Sequence, residues 1–305
     1  VAANDGYLLQ YVKARGIPCL GIEPTASTAA AARARGIDIV EDFFGVRLAR
    51  ELTAQGKQAD LTAANNVLAH VPDINDFVAG FAELLKPQGV ATFEFPHLLR
   101  LMAENQFDTI YHEHFSYLSL TAVRRIFAHN GLAVFDVEEL STHGGSLRVF
   151  AQRTNAGARP VTPRVAEMLA REGTAGMATP GYYAGFQARA DKIKNDFLAF
   201  LIEAKKTGMK VAAYGAAAKG NTLLNYAGVR PDLLPWVVDR NPSKQGKYLP
   251  GSRIPIVDEG RLRAERPDYV VILPWNLREE VMAQLDYVRA WGGRFVTAVP
   301  ELRVA

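Results

Sequence analysis

"VAANDGYLLQYVKARGIPCLGIEP", residues 1–24, decides how the rest of the chain is read. A few apolar residues run into Asn4, Asp5 and Gly6, an amphipathic stretch follows, and "CLGIEP" is a second apolar run that closes on Glu23. Strand, glycine turn, helix and second strand in this order open a parallel α/β unit. Glycine at the first strand–helix turn lets the backbone approach a ligand closely. An acid ending the second strand is placed to accept hydrogen bonds from two ribose hydroxyls. The same residues also suit an ordinary glycine turn and a solvated Glu. A strand that enters its turn so soon is expected to have lost its beginning, so the chain is read as a fragment lacking what precedes Val1.

Working outward, the pattern continues. "PCLGIEP" (18–24), "IDIVEDFF" (37–44), "ADLTAANNVLAHV" (59–71) and "GVATFEFP" (89–96) read as strands. Between them lie the Ala-rich helix for which Thr25 or Ser27 is the N-cap candidate, a helix over 45–55, and "DINDFVAGFAELLKPQG" (73–89), which sets Phe77, Phe81, Leu84 and Leu85 on one face. Strands alternating with helices predict a parallel, doubly wound sheet. The polar, Pro- and Gly-containing "AQRTNAGARPVTPRV" (151–165) suits a boundary. A connecting helix over 185–208 carries Phe186, Ala190, Ile193, Phe197 and Leu201 at helical spacing. A second α/β pattern then runs from "KVAAYG" to "GRFVTAVP". The expected division is a first domain over 1–155, a linker and helix over 156–208, and a second Rossmann-like domain over 209–305.

Basic and acidic residues nearly balance, 35 against 32. That argues against a nucleic-acid partner, which would call for a basic patch, but leaves room for a small anionic ligand. Cys19 is the single cysteine, which excludes an internal disulfide framework and fits a reducing cytoplasm. No apolar run approaches the ~20 residues that span a bilayer.

Several residue sets carry chemistry. Without G-x-G-x-x-G, the "NDG…GIE" turn favours a nucleoside lacking phosphates over a dinucleotide, and S-adenosylmethionine is the common ligand of that kind. Asp42 and Phe43 could face the adenine amino group and ring, or belong to a buried Phe pair. Asn65 and Asn66 at a strand end are turn formers or ligand contacts, and His70 follows them. "FDTIYHEHFSYLS" (107–119) gathers Tyr111, His112, Glu113 and His114. These are groups that move protons, although two His and a Glu could also begin a metal site that lacks an obvious third ligand. "STHGGSLRVF" (141–150) offers His143, Ser146 and Arg148 around Gly144 and Gly145, or is only a turn between strands. In "YGAAAKGNTLL" (214–224), small residues let backbone N–H groups face an anion, with Lys219 adding charge and Asn221 hydrogen bonds. Asp239, Trp275 and Asn276 end neighbouring strands.

Taken together, "NDGYLL", "GIEP", "ANNVLAHVPD", "FEFPH", "YHEH", "HGGSLRV", "AAAKGNTLLNY" and "ILPWNL" closely resemble the S-adenosylmethionine-dependent C-methyltransferases of nucleotide-linked 4-keto deoxysugars, from Val1 to about Val299. The resemblance implies a class I methyltransferase domain followed by a Rossmann-like domain that helps hold the nucleotide sugar. It also implies a zinc-binding region that would precede Val1. It makes His114 the base, on its match to the family's catalytic His, and His70 a second active-site His. Tyr111 and Glu113 would assist, Tyr111 by donating to the ketone oxygen. Asn4, Asp5, Gly6, Glu23, Asp42, Phe43, Asn65 and Asn66 would hold the methyl donor. His143, Ser146, Arg148, Lys219, Asn221, Trp275 and Asn276 would meet the sugar nucleotide. Two other readings stay open: an NAD-dependent sugar-nucleotide oxidoreductase, and a sugar-nucleotide binding protein without catalysis. The sequence does not set the oligomeric state.

Overall fold

The computed structural model describes every residue, Val1–Ala305. The chain forms two compact units, Val1–Leu99 with Glu113–Ala178, and Arg100–His112 with Thr179–Ala305. In chain order the elements are α1 (Leu9–Lys13), β1 (Gly21–Ile22), α2 (Ala26–Ala34), β2 (Ile39–Val40), α3 (Val46–Ala54), β3 (Ala59–Asn65), α4 (Ile74–Leu84), β4 (Leu85–Pro96), α5 (Leu98–Ala103), α6 (Leu120–His129), β5 (Leu132–Leu140), β6 (Ser146–Arg153) and α7 (Pro163–Ala175). The rest are α8 (Phe186–Lys206), β7 (Val211–Tyr214), α9 (Ala218–Tyr226), β8 (Val237–Val238), β9 (Ile256–Val257), α10 (Gly260–Glu265), β10 (Tyr269–Ile272), α11 (Arg278–Gln284), β11 (Arg294–Thr297) and β12 (Arg303–Val304). No helix is long and apolar enough to cross a membrane.

In the first unit β1 pairs with β2 in parallel, and a four-stranded sheet runs β3-β4-β6-β5. The leading residues join the two: Ala3 N donates to Ile22 O at 3.0 Å and Val1 N to Ala63 O at 2.9 Å. Residues 1–3 thus lie between β1 and β3. β3 and β4 are parallel, but β6 runs antiparallel to both β4 and β5. The parallel sheet expected from the alternation therefore ends in an antiparallel hairpin. The short 141–145 turn between β5 and β6 permits no other pairing, since a parallel return needs a long crossover.

The core shows why these elements pack. On β4, Ala91, Phe93 and Phe95 alternate onto one face and are fully buried. On α4, Phe77, Phe81 and Leu84 form the predicted stripe. Edge-to-face contacts link Phe44 to Phe81 (4.7 Å), Phe81 to Phe93 (4.6 Å) and Phe93 to Phe127 (4.7 Å). Each buried Phe contributes about 1.5–3 kcal/mol. Asp73 caps α4 by accepting from Asn75 N and Asp76 N. α4 stops at Leu84 rather than at Gly89, because Leu85 is extended and Pro87 disfavours helix at Lys86. Thr25 occupies the N-cap position of α2, yet its side chain makes no capping bond.

The second unit holds a six-stranded sheet in the order β12-β11-β10-β7-β8-β9, all parallel except β12. Alternate β7 residues serve its two faces: Val211 and Ala213 join the cluster of Ile193, Phe197 and Leu201 from α8, while Ala212 and Tyr214 join Val270 and Phe295. Strand order reverses between β7 and β10. Loops leaving these two strands are where an open α/β sheet takes ligands. Residues 100–112 pack on this unit, with Arg189 bonding Asn105 Oδ1 (2.6 Å) and Met102 O, and the Phe107 ring tilted against Tyr226 at 5.3 Å.

Candidate active site

The strand ends of the first unit assemble an acceptor-rich edge. Gly6 adopts φ +78°, and a Cβ there would stand 3.0 Å from Ile37 Cγ1, so the turn needs glycine. Asn4, at φ 51°, donates its backbone N–H to Glu23 Oε2 at 3.0 Å, while Thr25 N donates to Oε1 at 3.0 Å. Glu23 is buried and braces the first turn; each of its oxygens keeps a further lone pair for another donor. The side-chain oxygens of Asn65 and Asn66 are buried without a hydrogen-bond partner, and such atoms call for an explanation. Asp5 pairs with Arg35 at 2.8 Å. Asp42 is bonded to Arg47, which holds its carboxyl below the ordinary range, and also accepts from Phe43 N. Phe43 itself is 79% exposed, with its ring on the surface rather than in a Phe pair.

Two histidines far apart in sequence meet in this unit. β3 ends at Asn65, earlier than the predicted strand, and a 3-10 turn over Leu68–His70 follows. Phe115 N donates to Ala69 O at 2.8 Å, which docks the segment after the "YHEH" motif on that turn. As a result the His70 and His114 rings pack edge-to-face at 4.7 Å, and Tyr117 stands 5.8 Å from His114. Tyr117 was not among the residues that sequence singled out; its place in "YHEHFSY" was the available signal. The motif forms a turn. His112 and Glu113 are exposed, and Tyr111 and His114 half-buried. Tyr111 and His112 belong to the second unit, Glu113 and His114 to the first. No group of three or more His, Cys, Asp or Glu is arranged to hold a metal ion.

The β5–β6 turn places His143 at φ 57° on the surface, before Gly144 (φ 90°) and Gly145 (φ 114°). Ser146 is buried and donates to Thr142 O. Arg148 is committed to Glu94 at 2.8 Å and Glu138 at 3.2 Å, and buried Glu94 also accepts from Thr142 Oγ1. Beneath lies a network that sequence did not show. Glu172 of α7 accepts from His97 Nε2 (2.7 Å), Leu120 N (2.6 Å), Thr121 N (2.8 Å) and Thr121 Oγ1 (2.6 Å). It pins the start of α6, just past the motif.

In the second unit Gly215, at φ 91°, turns the chain out of β7, and Gly220 lets α9 lie against Leu273. Lys219 is partly buried, which lowers its pKa, with attraction from Asp108 opposing. Its Nζ donates to Asn276 Oδ1 at 2.7 Å and lies 4.6 Å from the centre of the Trp275 ring. The Asn221 side-chain oxygen is buried without a partner. Asp239 accepts from Ala216 N (2.9 Å), Asn241 N (2.8 Å) and Lys244 Nζ (3.2 Å). This repeats the brace that Glu23 makes to the first turn of the other unit. Lys219, Trp275 and Asn276 thus meet at the β7–β10 reversal, and Asp108, which no sequence motif marked, joins them through Trp275.

The chain is 36% identical over 302 residues to the C-methyltransferase NovU of Streptomyces niveus, covering 99% of this chain and 72% of the relative. A model described as a methyltransferase domain matches residues 1–137, and one described as a C-methyltransferase C-terminal domain matches residues 141–300. Among solved structures, magnesium protoporphyrin IX methyltransferase of Synechocystis PCC 6803, with bound SAM, is similar at 15% identity and TM-score 0.38, over 50% of this chain and 67% of that one. The PH0226 protein of Pyrococcus horikoshii OT3 is similar at 15% identity and TM-score 0.40, over 50% and 79%.

Proposed function

This chain belongs to the C-methyltransferase family, and from that premise we propose that it methylates a ring carbon beside the ketone of a nucleoside-diphosphate 4-keto deoxysugar, with S-adenosylmethionine as donor. The observation that carries the reading is the His70–His114 pair, with ring centres 4.7 Å apart. It stands in the same unit as the strand-end set Gly6, Glu23, Asn65 and Asn66.

A ketone makes its neighbouring C–H acidic, and an imidazole titrates near neutral pH, where a base for that proton is most effective. His114 takes the proton, and His70, edge-on to it, limits how the ring can turn. Tyr111 donates its O–H to the ketone oxygen as negative charge develops there. Glu113 and, from the β5–β6 turn, His143 contact the sugar, while Ser146 and Arg148 at the start of β6 hold that turn in place through Thr142 and Glu94. Bound S-adenosylmethionine supplies a sulfonium methyl that the enolate carbon takes, leaving a neutral thioether and restoring the ketone. The residues fit that donor. The orphaned Asn65 and Asn66 oxygens and the open lone pairs of Glu23 suit ribose hydroxyls and an ammonium, and exposed Phe43 offers a face for the adenine. In the second unit, Lys219 and Asn221 on the first turn of α9 take the diphosphate, with Trp275 and Asn276 beside them.

The test is transfer of an isotope-labelled methyl from the donor to a 4-keto deoxysugar nucleotide by the full-length protein, with the label located on the carbon by NMR. His114→Asn should bind the donor as the wild type does and transfer at least ~100-fold more slowly. Donor binding with no transfer to any such sugar sinks the substrate assignment. An undiminished His114→Asn sinks the assignment of the base.

A further inference from the structure

Asp108 lies in the 3-10 turn Phe107–Thr109, just before Tyr111, and is fully buried. Its Oδ2 accepts the Trp275 indole N–H at 2.7 Å, while Oδ1 has no hydrogen-bond partner. Lys219 acts on it by charge. The three residues come from the leading turn of the motif, the first turn of α9 and the loop after β10, which are the loops at the reversal of strand order in the second unit. The Arg189 bonds to Asn105 and Met102 and the Phe107–Tyr226 contact hold the segment as far as Phe107, and Asp108 is the anchor that follows them, three residues before Tyr111. An Asn would accept the same indole N–H without a buried charge. A buried carboxylate with one oxygen unbonded is the costly choice. Its charge does, however, keep the Lys219 ammonium drawn in over the Trp275 ring, so that both loops and the motif turn share one arrangement.

We propose that Asp108 is a positioning residue: joined to Trp275 and set against Lys219, it fixes the Phe107–Thr109 turn and thereby where the Tyr111 hydroxyl stands. This rests on the reading of Tyr111 as donor to the ketone oxygen. A group kept for function at a cost in stability leaves a signature that a merely structural group does not: its neutral isostere loses rate without losing stability.

The experiment is a double-mutant cycle on the full-length enzyme with Asp108→Asn and Tyr111→Phe. It reads kcat with the labelled donor and a 4-keto deoxysugar nucleotide, donor affinity by calorimetry, and the urea midpoint. Asp108→Asn should lower kcat ~10- to 100-fold, as a small misplacement does, with donor affinity unchanged and a urea midpoint at pH 8 no lower than wild type. The double variant should be no slower than Tyr111→Phe alone, because both changes act on one hydroxyl. Wild-type kcat in Asp108→Asn overturns the proposal, as does a midpoint that falls in step with activity. An unimpaired Tyr111→Phe defeats the reading beneath the proposal and the proposal with it. Impaired Tyr111→Phe with losses that multiply defeats the proposal alone. If Asp108→Asn does not fold, Trp275→Phe, which takes the indole N–H from Asp108 and keeps an aromatic ring beside Lys219, enters the same kcat cycle: no slowing beyond Tyr111→Phe alone supports the proposal, and losses that multiply overturn it.

Discussion

Replacing Asp108 by Asn should flatten the pH dependence of the second unit's stability. Burial raises the Asp108 carboxyl from 3.8 to about 6, with the Trp275 hydrogen bond and Lys219 opposing only in part. A carboxyl whose folded value exceeds its unfolded value favours the fold while protonated. Its contribution is therefore complete below about pH 4 and lost as pH rises through about 6. A shift of about two units corresponds to about 3 kcal/mol in all. Near pH 5 the folded group is roughly ten parts protonated to one ionised and the unfolded group is almost wholly ionised, so about 1.4 kcal/mol of the loss falls between about pH 5 and pH 8. Asn does not titrate and lacks that loss. Its NH2 in place of the unbonded Oδ1 costs about 1–3 kcal/mol, but by the same amount at every pH. Urea unfolding followed by tryptophan fluorescence is the assay, since Trp236, Trp275 and Trp291 all lie in the second unit. The variant should gain on the wild type by about 1.4 kcal/mol across that window. Parallel profiles would refute the reasoning.

Three further outcomes follow from the first unit. Phe43→Ala should leave the urea midpoint within about 0.5 kcal/mol of wild type, as for an exposed side chain, yet weaken donor binding by roughly 0.5–1.5 kcal/mol in calorimetry if the ring stacks on adenine. Glu172→Gln should destabilise this unit by about 3–5 kcal/mol, because it breaks a buried, multiply bonded carboxylate. Burial works to raise that carboxyl, but bonds from His97 and Thr121 outweigh it and hold it below its ordinary value. The wild type's advantage over Glu172→Gln is thus present at neutral pH and fades as pH falls through and below the ordinary glutamate range, which circular dichroism in urea can follow. Phe81→Ala, at the centre of the aromatic chain, should cost about 3–5 kcal/mol, read by the same measurement.

Short-range patterns were legible because their causes are local. The α4 stripe of Phe77, Phe81 and Leu84 and the α8 stripe of Ile193, Phe197 and Leu201 follow from a 3.6-residue period, and both faces are buried as the spacing predicts. Gly6 and Glu23 could be placed because a tight turn and a strand end leave little freedom. The β5–β6 hairpin was legible only as one reading of the 141–150 turn, and its antiparallel pairing with β4 was not, since its partly polar strands alternate weakly and β4 lies outside any local window. The predicted strand over 59–71 ran too far because Asn66 takes a left-handed φ of 55°, which local propensity does not dictate.

The sequence by itself determined which chemical groups this protein carries: two imidazoles, a phenol and a carboxylate around "YHEH", an acid after the second strand, and a lysine in a small-residue turn. Tertiary structure alone decided which of them meet. It brought His70 against His114 through backbone bonds from Phe115 and Ser116 to Ala69, and it committed Arg148 to Glu94 and Glu138. It also buried Asp108 beside a tryptophan 167 positions away. Residue type sets what a group can donate, accept or titrate. Whether it is solvated or buried, and beside which charge, depends on long-range packing that no local stretch of chain encodes.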